Sequence, residues 1–250
     1  MFPALSKVAL QDLYECMVHQ YKVPLARTQE RIGRTAVALL HDHAPADRRV
    51  LVLAGSGNNG GAGLVVARLL AEAGHDVRVV LTRPELFHKP VTKVKFEQLP
   101  DAVMVGLAEE ADDAELRDLV RGSDHIIDAL VGTGLVGSLS GEPARLAQLV
   151  GDGGKPTLSL DLPSGLDAEA GSVGPAVAAT RTLTIAVPGR GLTQPAATSS
   201  VGELFAADVD VPDAWFAQAG VARPAYGARG YAHLSSLPGA ESASGSVPLA

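Results

Sequence analysis

The run from Val50 to Leu70 limits what this chain can fold into more than any other. Five apolar residues, Val50 to Ala54, lead into Gly-Ser-Gly-Asn-Asn-Gly-Gly-Ala-Gly at 55–63, and apolar residues then resume at helical spacing from Leu64. That order reads as a strand, a tight loop and the start of a helix. Glycines let such a loop approach a ligand closely, and the free N–H groups of the following helical turn attract phosphate. Gly55, Gly57 and Gly60 fit the G-x-G-x-x-G pattern of dinucleotide-binding folds, which alone leaves the ligand open. The next expected strand, 77–82, is followed by Arg83 and not by the acidic residue that grips a ribose in NAD dehydrogenases. An arginine there suits a 2′-phosphate. Asn58 and Asn59 place two amides where small or apolar residues usually sit, which points to polar ligand contact or cation coordination. A side chain at Gly60 is expected to obstruct the ligand more than the fold.

The chain has 250 residues, 46 % of them hydrophobic, enough to bury one large core. Its 21 basic and 28 acidic residues give a formal charge of −7, which argues against nucleic-acid binding and against anionic membranes. Cys16 is the single cysteine, so no intrachain disulfide and no thiolate metal site is expected; its apolar neighbours at helical spacing assign it to packing. No signal-peptide pattern opens the sequence and no apolar run approaches the ~20 residues that span a bilayer, so a cytoplasmic, soluble protein is expected. Residues 1–222 read as one domain. Residues 223–250, rich in Gly, Ser, Ala and Pro, read as a tail that packs poorly, mobile from Gly239 onward.

Helices are expected at 10–20, 26–41, 112–121 and 142–150, and strands at 50–54, 77–82, 103–105, 124–131, 157–160, 182–186 and 203–208. The basic stretch 89–95 reads as irregular. Apolar strands alternating with helices predict an α/β fold: a three-layer, Rossmann-like, mostly parallel sheet with helices on both faces. Ligands of such sheets bind where loops leave the carboxyl ends of the strands, which selects loops 55–63, 128–141 and 161–167. Asp128 and Asp161 each end a strand. They can share a cation, divide acid–base work, or simply cap their turns. His41 and His43, at the end of a helix, read as surface caps, and His125 as packed in its strand.

Three motifs in order then become specific: residues 55–63 quoted above, Asp-Ala-Leu-Val-Gly-Thr-Gly-Leu at 128–135, and Asp-Leu-Pro-Ser-Gly-Leu-Asp at 161–167. Together they resemble the NAD(P)H-hydrate epimerase family, the YjeF N-terminal domain, and the likeness runs from about residue 8 to Ala-Asp-Val-Asp-Val-Pro at 207–212. The resemblance implies a Rossmann-like homodimer that interconverts the R and S epimers of hydrated NADH and NADPH, with a dehydratase as functional partner. That dehydratase is expected to be a separate chain. By resemblance, Asn58, Asn59, Gly60, Gly61 and Ala62 together with Gly132, Thr133, Gly134, Leu135, Val136, Gly137 and Ser138 hold the ligand. Asp161 contacts its reactive end as the acid–base, and Asn59, Asp128 and Ser164 fall on ligands of a potassium ion. An amide, a carboxylate and a hydroxyl are hard oxygen donors that suit such a cation.

The sequence also departs from the family pattern. Ala62 stands where the family has Asp, Thr180 where it usually has Asp, and Pro-Gly-Arg-Gly-Leu at 188–192 replaces Pro-Lys-x-Gly-Leu, which puts Gly189 at the lysine position with Arg190 beside it. Residues 28–34 match the family's Met-Glu-Asn-Ala-Gly-Arg helix only loosely. The cation set looks intact and the substrate end altered. Two readings follow: an active epimerase, or a diverged, catalytically impaired domain that binds a nucleotide-like ligand or a protein partner.

Overall fold

A computed structural model describes residues 4–83, 90–172 and 174–234. Its centre is an eight-stranded sheet of β1 (Arg49–Ala54), β2 (Asp76–Leu81), β3 (Met104–Leu107), β4 (His125–Ala129), β5 (Thr157–Leu160), β8 (Arg181–Ile185), β9 (Glu203–Ala207) and β10 (Tyr231–His233). The spatial order is β10-β9-β8-β5-β4-β1-β2-β3, parallel throughout except for β10. β6 (Leu166–Asp167) and β7 (Gly171–Ser172) form a separate two-stranded ribbon.

Alternation along the strands builds the three layers. Val50, Val52 and Ala54 of β1 face one apolar core, while Leu51 and Leu53 face another. Ile127 and Ala129 of β4 join the first core and Ile126 the second. Side chains alternate across a strand, so a sheet apolar at every position must be covered on both faces. The first face is covered by α1 (Lys7–Glu15), which continues through a π turn at Cys16–Gln20, and by α2 (Leu25–His43) and α3 (Asn58–Glu72). The second is covered by α5 (Asp113–Gly122) and α6 (Gly141–Gly153). The short helices α7 (Thr198–Val201) and α8 (Asp213–Ala219) flank β9. Asp112 caps α5 in a reciprocal capping box with Glu115, which fixes its start.

Two expectations differ from the structure. Most of the stretch 89–95, read as irregular, falls in the helix α4 (Pro90–Glu97), which begins on a proline, a residue suited to a first helical turn. Its Thr92 and Lys95 are buried, and Lys95 Nζ reaches Glu30 at 2.6 Å as an inward-facing ion pair. The segment from 223 was expected as a tail, yet β10 pairs with β9, and Tyr226, Ala232 and Leu234 pack against the main core. Residues 235–250, including the expected mobile part, lie outside the described residues. Among the described residues no helix is long and apolar enough to cross a membrane.

Candidate functional site

The three loops selected from the sequence converge at the carboxyl ends of β1, β4 and β5, where they line one cavity of about 790 Å³. β1 delivers the first loop. Gly57 caps α3 without a side-chain hydrogen bond, and no acidic residue occupies the first turn, so the N–H groups of that turn are available to an anion. The loop is tied down from outside: Gln29 Nε2 donates to the Asn58 carbonyl at 3.0 Å and Thr92 Oγ1 to the Gly57 carbonyl at 3.4 Å.

Of the expected ligand contacts, Asn58, Asn59, Ala62, Gly132, Thr133, Gly134, Leu135, Val136, Ser138 and Asp161 line the cavity. Gly60, Gly61 and Gly137 do not. A Cβ on Gly60 would lie 1.9 Å from the Gly55 carbonyl oxygen, and one on Gly61 would lie 2.2 Å from Gln29 Nε2. Both glycines let the loop close on itself, and the expectation that the fold would tolerate a side chain at Gly60 is overturned. Gly137, at φ 72°, serves its turn.

Asp161 follows β5 in the left-handed region, at φ 69°, a conformation that a non-glycine residue holds only where its surroundings enforce it. Its Oδ2 accepts from the Thr133 backbone N–H at 2.7 Å and from the Thr133 hydroxyl. Its Oδ1 accepts from the Tyr14 hydroxyl at 3.3 Å. Burial pushes the carboxyl pKa up, against the hydrogen bonds from Thr133 and Tyr14, and among the described residues no basic group offsets it. Burial and the Asp161 charge hold Tyr14 well above the usual phenol range, so it stays a donor.

Asp128 lies deeper, with no exposed surface, opposite Ser159 in the β4–β5 register. Four neutral donors reach it: Ser159 Oγ at 2.7 Å, Ser164 Oγ at 2.6 Å, the Ser164 N–H at 2.9 Å and the Leu130 N–H at 3.2 Å. Among the described residues no basic side chain pairs with it, and burial raises its pKa. Each of its oxygens already accepts two of these bonds, so a cation of low charge would reach it only by displacing a donor. Asn59 Nδ2 donates to the Leu160 carbonyl at 3.1 Å, which leaves the oxygen of that amide to a ligand.

Two cavity residues carried no sequence signal. Tyr14 lies among apolar residues on α1, where its spacing reads as core. Gln29, 1 % exposed, donates to the Asn58 carbonyl through Nε2, and its Oε1 has no partner among the described residues. An inward polar residue in an amphipathic helix is the one hint the sequence offers for each. Of the histidines, His125 is buried on Asp47 at 3.0 Å as expected, whereas His41 is no simple surface cap, since its Nε2 meets that of buried His75 at 3.2 Å. Cys16 is half-buried against the main core.

Residues 26–191 match the sequence family described as YjeF-related protein N-terminus, which is more than half of the chain. The chain belongs to this family. An NAD(P)H-hydrate epimerase from Truepera radiovictrix is 35 % identical over 218 residues, covering 87 % of this chain and 94 % of that protein. A bifunctional NAD(P)H-hydrate repair enzyme Nnr from Moorella thermoacetica is 35 % identical over 199 residues, or 77 % of this chain. The chain spans only 38 % of the length of that bifunctional relative. In fold it is similar to the crystal structure of a yeast protein, YNL200c, with a TM-score of 0.81 over 93 % of this chain and all of that one, at 20 % identity.

Against the YjeF-related family pattern, the three departures fall in different places. Ala62 lines the cavity, 1 % exposed, in the first turn of α3. Thr180 lies at the opposite end of the sheet, before β8, where its Oγ1 accepts from the Thr157 N–H at 3.0 Å. Gly189 is buried, with a bridge to Leu5, and Arg190 points outward to Glu169 at 3.1 Å; neither lines the cavity. The expected alteration of the substrate end therefore narrows to position 62.

Proposed function

We propose that this chain interconverts the R and S epimers of hydrated NADH and NADPH, so that an epimer-specific dehydratase can restore the cofactor. The observation that carries this reading is Asp161, a buried carboxyl with a raised pKa that forms part of the wall of a cavity sized for a dinucleotide half. The hydrated ring bears a hydroxyl on the carbon next to its nitrogen. Asp161 gives a proton to that hydroxyl, the C–O bond breaks, water leaves, and the nitrogen lone pair stabilises the cation formed. Water adds from the other face and returns its proton to Asp161, which closes the cycle with no net consumption.

The amides at the start of α3 suit the pyrophosphate, and Arg83, on the cavity wall, suits the 2′-phosphate of the phosphorylated substrate. Asn59, Asp128 and Ser164 would hold a potassium ion, which supplies positive charge beside the ligand loops. With ionic strength held constant by choline, potassium should raise the melting temperature; an unchanged melt removes the cation from the account. The resemblance also supports a homodimer. The test of the chemistry is Asp161→Asn, which keeps shape but exchanges no proton: epimer exchange should fall roughly 10²-fold or more. Undiminished exchange removes Asp161 from the mechanism. Ala62, lacking a carboxylate on the cavity wall, is what favours the second reading of a binder without turnover.

A further inference from the structure

Asp161 is held by three donors, and their distribution is unequal. Thr133 takes Oδ2 twice, through its backbone N–H and its hydroxyl, so that oxygen has no lone pair left to offer. Oδ1 accepts one longer bond, 3.3 Å, from a tyrosine on another element, α1. Tyr14 and Asp161 both line the cavity. A substrate hydroxyl can therefore meet the carboxyl at Oδ1 alone, on the side where Tyr14 sits.

We propose that Tyr14 is a positioning residue for the epimerisation: its hydroxyl fixes Oδ1 as the oxygen that handles the proton and, by bonding preferentially to the ionised form, weakens the hold of Asp161 on that proton. The inference rests on the proposed function. Tyr14 keeps its own proton throughout. In the forward half-step the proton passes from Oδ1 to the departing hydroxyl, and in the return half-step from the incoming water to Oδ1, while Tyr14 remains the donor to whichever lone pair is free. A buried carboxyl without such a donor would bind its proton too tightly to release it. The charged groups on the same cavity are Glu15 of α1 and Arg83 after β2, and neither is hydrogen-bonded to Asp161. Thr133 completes the set from the loop after β4.

The test is Tyr14→Phe, which keeps the ring and removes the donor. The protonation of Asp161 is followed directly by infrared difference spectroscopy, with Asp161→Asn marking the band. The midpoint should move to higher pH in the Phe variant, the alkaline limb of the exchange rate should move with it, and kcat should drop about tenfold while KM changes little. Replacing Tyr14 by 3-fluorotyrosine, a stronger donor of the same shape, should move the midpoint the other way, and this arm stands if the Phe variant folds poorly. Coincident midpoints in wild type and both variants would overturn the role of Tyr14, whatever happened to the rate. Because the titration needs no turnover, a wild type that exchanges no epimers would defeat the proposed function while leaving the positioning claim to the spectra.

Discussion

Position 62 is where a single residue decides most. Ala62 forms part of the cavity wall in the first turn of α3, so Ala62→Asp places a carboxylate against the ligand without rebuilding the fold. If its absence limits turnover, exchange should rise in that variant alone; a fall, from repulsion of the pyrophosphate at the same helix end, would show that alanine suits this chain's ligand. The matching change at position 189 has no such prospect. A Cβ there would lie 2.8 Å from the Ala168 carbonyl, and the residue is remote from the cavity wall, so Gly189→Lys should lower the melting temperature and leave the kinetics of the folded fraction unchanged. Any gain in exchange would contradict that placement. Asp161 and Asp128 were legible in the sequence because each ends an apolar strand just before a glycine-bearing loop, where a charge has no packing reason to be. Tyr14 was not, because an aromatic residue at helical spacing looks the same whether its hydroxyl is satisfied by water or by a catalytic carboxylate.

At the level of elements, periodicity recovered what repeats and missed what pairs. The parallel strands and the long helices follow from alternating or 3.6-residue apolar spacing. α4 escaped because its buried face includes Lys95, whose charge is neutralised by Glu30 across the interior, a contact 65 residues away that no local pattern encodes. β10 escaped for a related reason: three residues in a stretch rich in small residues become a strand only because β9 offers an open edge. Its side chains are not idle. Tyr231 stands edge-on to Phe205 at 5.7 Å, His233 stacks on it at 4.6 Å, and Tyr231 donates to Asp42 at 2.6 Å. A chain ended at residue 222 should therefore melt about 5–10 °C lower than one that includes β10. Equal melting temperatures would show that β9 tolerates being an edge strand.

For the whole molecule, the balance of buried titratable groups sets how stability responds to pH. Burial depresses the pKa of His75, with His41 and Arg48 adding to the effect and Asp47 opposing it; burial likewise depresses His125, against the bond to Asp47. Both are neutral in the folded chain and bind protons more readily when it unfolds. Stability should therefore be fully present above the unfolded value of about 6.5 and be lost as pH falls below it. Asp161, raised in the folded state, pulls the other way, because the folded chain then gains the proton first. Between pH 8 and pH 5 the His75 share of this response should show as a melting temperature that falls less in His75→Gln than in the wild type; parallel curves for the two proteins would remove His75 from the acid response. The sheet, the loops and the carboxylate form one arrangement whose proposed purpose is the exchange of the two epimers, and one measurement bears on it directly. Offered the R epimer of hydrated NADH with a dehydratase that accepts only S, the intact protein should drive the R form to complete conversion. Persistence of the R epimer at its spontaneous rate would contradict the account.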